Sequence, residues 1–217
     1  MTVTENPADT FNGGVVGERR LRKEDPALLT GEAKFADDLV LPGQLWMGCV
    51  RSPYAHARII NIDTAAAEEI EGVAAVYTGA DLADSWAAPL PCAWAVTEDM
   101  KSPDHLPVAV GKANHQGDIV AVVVASSRYG LADAIEAVVV DYEPLPAVID
   151  LQDAVDDTHV IYEDLGTNSS YVWELIPDPE GVEAAFAEAA HHITETYTHQ
   201  RGIAAAMEPR GVVAVPE

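Results

Sequence analysis

"GDIVAVVVASSRYGLADAIEAVVVDYEPLP", residues 117 to 146, carries the pattern on which the fold turns. From Ile119 to Ala125 no polar residue interrupts the run, as in a strand covered on both faces. Ser126 or Ser127 stands where a helix cap belongs, and Leu131, Ile135 and Val138 recur at i, i+4 and i+7. Val138 to Tyr142 returns to strand character, and Pro144 and Pro146 stop it. The stretch is a strand–helix–strand unit.

A second unit lies upstream. Leu45 to Val50 and Ala57 to Asp63 read as strands, separated by the polar corner Arg51-Ser52-Pro53-Tyr54-Ala55-His56. Asp63 or Thr64 can cap a short helix, Ala65 to Ile70, with Gly72 closing it before a strand at Val73 to Tyr77. Thr78 and Asp81 have capping-box spacing. Two such units suggest a doubly wound nucleotide-binding sheet. Yet the turns Asp63-Thr64-Ala65 and Ser126-Ser127-Arg128 lack the glycines that let backbone approach a pyrophosphate. Nucleotide binding becomes a minor alternative.

Outside these units the chain is less regular. Residues 1–14 are polar and read as an arm, and turn signals continue through residue 44. Residues 84–117 form a long connection punctuated by Pro89, Pro91, Pro103 and Pro107. Residues 151–177 are polar with scattered aromatics, a surface-crossing connection. Asp178-Pro179 then supplies an N-cap and N1 proline for a helix that runs to about His191, with Val182, Phe186 and Ala189 on one face. Two strands are expected after it, Ile193–Thr198 and Gly211–Val215. One helix and two strands bury too little for a core of their own, so this part reads as the cut-short opening of a larger domain.

The charge balance excludes some functions. Among 217 residues, 36 acids against 12 lysines and arginines give a formal charge of −24, the wrong sign for nucleic acid or an anionic membrane. Arg19-Arg20 is followed by Lys23-Glu24-Asp25-Pro26 rather than an apolar stretch, so a local ion-pairing patch is expected there and not an export signal. With no signal peptide or long apolar run, a cytoplasmic protein with reduced thiols is expected. Cys49 reads as a small buried hydrophobe, and Cys49 and Cys92 have no metal or redox spacing.

Three groups of residues invite a catalytic reading, and none sustains it. Ser52 and His56 lack a nucleophile elbow, and Pro53 removes a backbone donor where an oxyanion hole would need one. Among the histidines, 56, 105, 115, 159, 191, 192 and 199, no pair has the helical zinc spacing. His199 beside Gln200-Arg201 reads as a capping or interface group. Glu208-Pro209-Arg210 reads as an ion pair or backbone-bonding corner.

Taken in order, "RKEDPALLTGEAKFADDLVLPGQL", "VRSPYAHARIINID", "GVAAVYTGADL", the decisive stretch continued to Asp150, and "AMEPRGVVA" resemble one family. It is the large, molybdenum-binding subunit of the xanthine dehydrogenase and aldehyde oxidase superfamily, nearest the aerobic carbon monoxide dehydrogenase type. The similarity covers residues 17 to 215. It implies an α+β protein: an N-terminal arm over 1–26, an α/β hammerhead domain over 27–150, and over 151–217 the incomplete start of a molybdopterin-binding domain. It also implies a molybdenum–molybdopterin (cytosine dinucleotide) cofactor in the complete subunit, with FAD and iron–sulfur clusters on medium and small partner subunits. The family's cofactor loops and catalytic glutamate are expected past residue 217. No catalytic, cofactor-binding or metal residue is therefore assigned here, no cofactor is expected on this chain alone, and the isolated chain is expected to be inactive. The remainder of the large subunit is the expected partner. A stand-alone, non-catalytic hammerhead assembly module is the alternative.

Overall fold

The computed structural model describes residues 17, 19–91, 94–200, 202–206 and 208–215. The chain divides into two compact units, one over Gly43–Thr196 and one that combines residues 1–42 with residues 197–217.

Among the described residues of the larger unit six strands form two antiparallel sheets. They are β1 (Trp46–Arg51), β2 (Ala57–Asp63), β3 (Val73–Thr78), β4 (Lys112–Ala113), β5 (Ile119–Ala125) and β6 (Val139–Pro144). One sheet has the order β1-β5-β3 and the other β4-β2-β6. The two strand–helix–strand units therefore do not stack into a parallel sheet. Each sends its strands to both sheets: Trp46 pairs with Ala125 and Cys49 with Val122, while Ile59 pairs with Tyr142 and Ile62 with Val140.

The unbroken apolar run becomes β5, the central strand of its sheet, with Val120, Ala121, Val123 and Ala125 fully buried. Ile59 and Ile62 of β2 and Val140 and Tyr142 of β6 pack against the same core, so the two sheets share it. A helix, Arg128–Ala137, lies on β1 and β5, its first turn held by the Ser127 hydroxyl accepting from the Gly130 N–H. Gly48 lets that helix sit close, for a Cβ there would fall 2.6 Å from Ile135 Cδ1. Gly79 is tighter still: its Cβ would meet the Ala109 carbonyl oxygen at 2.2 Å.

Several expectations need correction. The first short helix spans Ala65–Glu68 and stops before Ile70, capped by Asp63 Oδ1 accepting from the Ala65 N–H. The connection over residues 151–177 opens with a short helix that sequence reading did not place, Leu151–Val155, which Asp150 caps through the Gln152 N–H. The helix after Asp178 spans Pro179–Glu188 rather than reaching His191. Ile193–Thr198 and Gly211–Val215 form no strand, because among the described residues neither finds a ladder partner. Cys49 is only half-buried, and Cys92 lies outside the described residues.

In the smaller unit the turn-rich N-terminal part holds a short helix at Asp25–Thr30, which the turn signals concealed. Pro26 starts it, and Gly31, left-handed at φ 74°, ends it with its N–H on the Ala27 carbonyl. Glu208 Oε1 accepts from the Ala36 N–H at 2.9 Å, the backbone-bonding role expected for that corner. Among the described residues no helix is long and apolar enough to cross a membrane.

Candidate functional site

The polar corner between β1 and β2 is where enzyme-like side chains and burial coincide. Pro53 interrupts the strand pattern, and the chain must satisfy its backbone by other means. The Ser52 N–H donates to the Asp118 carbonyl, and the Ser52 carbonyl accepts from the Gly117 N–H, each at 2.8 Å. Arg51 Nη1 donates to the Gly117 carbonyl at 2.8 Å. Arg51 and Ser52 thus clamp the turn that leads into β5.

Ser52 is 2% exposed, and its hydroxyl serves its own turn and the neighbouring Tyr142. It donates to the Tyr54 carbonyl and accepts from the Tyr54 N–H, both at 3.1 Å. Burial pushes the Tyr142 phenol up, partly opposed by its hydrogen bond with Ser52 and reinforced by Tyr54 and Asp118. Tyr142 therefore stays protonated and supplies no base. His56, 6% exposed, engages the Pro146 carbonyl through Nδ1 at 2.8 Å. That carbonyl can only accept, so Nδ1 carries the proton and donates. His56 Nε2 is left buried without a protein partner. A serine sealed from solvent beside a histidine pointed elsewhere cannot attack a substrate. The corner is architectural.

Beside it lies a cleft of about 180 Å³ lined by Asp104, His105, Lys112, Asn114, Asp118 and Tyr162 among others. Asp118 is buried and its carboxylate accepts from the Asn114 N–H at 3.0 Å. His105 and His115 stack with ring centroids 5.9 Å apart. Lys112 donates to the Ile161 carbonyl and to Glu163, which holds the Glu163 carboxyl below its usual range. Asp157 is lowered too, by the Asn168 N–H and then the Thr167 hydroxyl. Asn168 binds back to His159 and Ile161, and Ser170 exchanges two hydrogen bonds with Lys101. Residues 157–170 are thus strapped by polar groups onto residues 101–112. Sequence reading missed this strap, whose parts are common residues with no periodicity, and it missed Asp118, whose one signal is the Gly117-Asp118 turn before β5.

The remaining sequence candidates stay apart. His192 meets the Phe186 ring edge-on, and His199 Nδ1 contacts the Gln200 carbonyl; Arg201 lies outside the described residues. No cluster of three or more His, Cys, Asp or Glu able to hold a metal occurs among the described residues. The cleft is smaller than ordinary cofactor sites, and Asp104, Asp118 and Asp164 give it the wrong charge for a pyrophosphate. The residues present do not fit a molybdopterin dinucleotide.

Comparison with known proteins places the fold. The family model for the aldehyde oxidase and xanthine dehydrogenase a/b hammerhead domain matches residues 30–146. The chain is 37% identical over 204 residues to the 6-hydroxypseudooxynicotine dehydrogenase complex subunit gamma of Paenarthrobacter nicotinovorans, covering 93% of this chain and 25% of that protein. It is 38% identical over 199 residues to the carbon monoxide dehydrogenase large chain of Afipia carboxidovorans, covering 86% and 24%. A crystal structure of the Cu,Mo-CO dehydrogenase superposes with a TM-score of 0.63 at 36% identity, over 81% of this chain and 23% of that one. The chain spans about a quarter of the length of these relatives.

Proposed function

The chain belongs to the aldehyde oxidase and xanthine dehydrogenase hammerhead family, and on that premise we propose that it serves as the scaffold portion of a molybdenum hydroxylase large subunit. Residues 27–150 are the hammerhead domain in this reading, and 151–217 begin the molybdopterin-binding domain. The oxidoreductase activity then belongs to the full complex. Molybdenum with its molybdopterin (cytosine dinucleotide) is held by the remainder of the large subunit, and FAD and iron–sulfur clusters by medium and small subunits. No residue described here is given a catalytic, cofactor or metal role. A soluble, cytoplasmic assembly is the setting.

The observation that carries this reading is the pairing of a matched hammerhead with a polar corner that is fully spent on architecture. Arg51 and Ser52 tie the end of β1 to the turn before β5, His56 ties the start of β2 to Pro146 beyond β6, and the one unpartnered group, His56 Nε2, is buried away from solvent. The test is to co-express the chain with a polypeptide supplying the other three quarters of a carbon monoxide dehydrogenase large chain. Copurification with molybdenum near one per complex is expected, against none for the chain alone. A chain that binds molybdenum by itself would overturn the scaffold reading. A chain that ignores the complement would establish the stand-alone hammerhead module instead.

A further inference from the structure

The four outer strands of the two sheets are not alike. β4 is only two residues long. β6 carries Asp141 and Glu143 and ends at Pro144, all of which discourage pairing along an edge. β1 ends in Arg51, tied to Gly117, and its Trp46 ring lies under the Arg128 guanidinium at 4.1 Å. β3 has none of these guards, and its one irregularity is a register shift between Val73 and Ala75 that leaves Ala75 to Thr78 regular. Its sequence, Val73-Ala74-Ala75-Val76-Tyr77-Thr78, holds no charge and no proline, and among the described residues it pairs on one side only, with β5. Along its other side runs an open groove of about 250 Å³ lined by Glu68, Val73, Ala74, Ala75 and Val76.

The charges around this groove select its occupant. Between Arg58 and Lys101 the chain has no lysine or arginine. Glu68, Glu69 and Glu71 stand exposed before β3, and Asp81 and Asp84 follow it. A second copy of this chain is excluded by the same charges. Two β3 edges paired antiparallel would set the glutamates of each copy against the aspartates of the other. We propose that β3 is a docking edge that takes up an extended, lysine- or arginine-bearing polypeptide segment of a partner as an added strand. Backbone hydrogen bonds supply the affinity, and the acidic rims supply the choice of partner.

The experiment titrates the 217-residue chain with an acetylated octapeptide of alternating lysine and valine, followed through backbone amide shifts. Saturable shifts confined to residues 73–78 are expected. N-methylation of alternate peptide amides should abolish them. The triple variant E68Q/E69Q/E71Q, checked for an unchanged melt, should bind about tenfold more weakly. Shifts centred elsewhere, equal binding of the N-methylated peptide, or equal binding of a glutamate–valine octapeptide would overturn the proposal. So would a stable dimer of the chain with its β3 amides protected.

Discussion

β5 and residues 172–193 both carry large apolar side chains, and those side chains meet opposite fates. Val120 and Val123 of β5 are fully buried, whereas Leu175 is 73% and Ile193 82% exposed. Apolar content favours β5, but it does not by itself account for exposures that large in the second segment. β5 has a strand on each side and a helix across one face. Ile193–Thr198 has the alternation of a strand but no described neighbour to complete a ladder. The Pro179–Glu188 helix has a sound cap, yet it leaves Phe186 57% exposed. A strand or an amphipathic helix is an offer of surface, and only a partner turns that surface into stability.

The sharpest attack on this contrast is a matched pair of charge insertions. Val123→Asp strands a charge in the shared core and should cost more than about 4 kcal/mol, enough to abolish the cooperative urea transition. Ile193→Asp should stay within about 0.5 kcal/mol of the parent. An equal loss from both would show that residue 193 is packed after all.

A smaller effect comes from the two helix caps, which are chemically similar. Ser127 accepts from the Gly130 N–H at 3.0 Å, and Asp178 from the Gly181 N–H at 2.9 Å. Ser127→Ala should lower global stability by about 1 kcal/mol, because its helix lies on the core. Asp178→Ala should fray its helix, seen as lost ellipticity, while leaving the urea midpoint in place. A shift of that midpoint would join the two regions into one cooperative unit.

The smallest effect is one of pH, at the strap between the two regions. Glu163 and Asp157 have folded pKa values below their ordinary 4.5 and 3.8. Their contribution is therefore complete above those ordinary values and fades as pH falls through the lower folded ones. Amide exchange at Asn168, corrected for intrinsic rate, should accelerate below about pH 4 while β5 stays protected. Acceleration that begins near neutrality would point to a histidine instead.

Much of the hammerhead was legible because its signals are local. The bounds of β2 follow from a β-branched run between a proline corner and Asp63, and the caps at Thr78, Ser127 and Asp178 are visible as residue types at fixed spacing. Strand partners were not legible, since register here links residues far apart in sequence. The Asp25–Thr30 helix hid among turn residues because Pro26 and Gly31 punctuate a helix as readily as a loop. The corner at 51–56 was readable as architecture from Pro53. That His56 would reach the Pro146 carbonyl was not, for the pair is ninety residues apart.

That long-range pairing sets the order in which the molecule can be made. β1 and β2 are neighbours in sequence yet do not pair with each other; one waits for β5 and the other for β6. During synthesis β1, β2 and β3 emerge with their strand edges open, and neither sheet closes until the stretch from Ile119 to Pro144 has left the ribosome. Such non-local closure is slow and exposes apolar strands meanwhile. The net negative charge of the chain works against association of copies whose strand edges are still open.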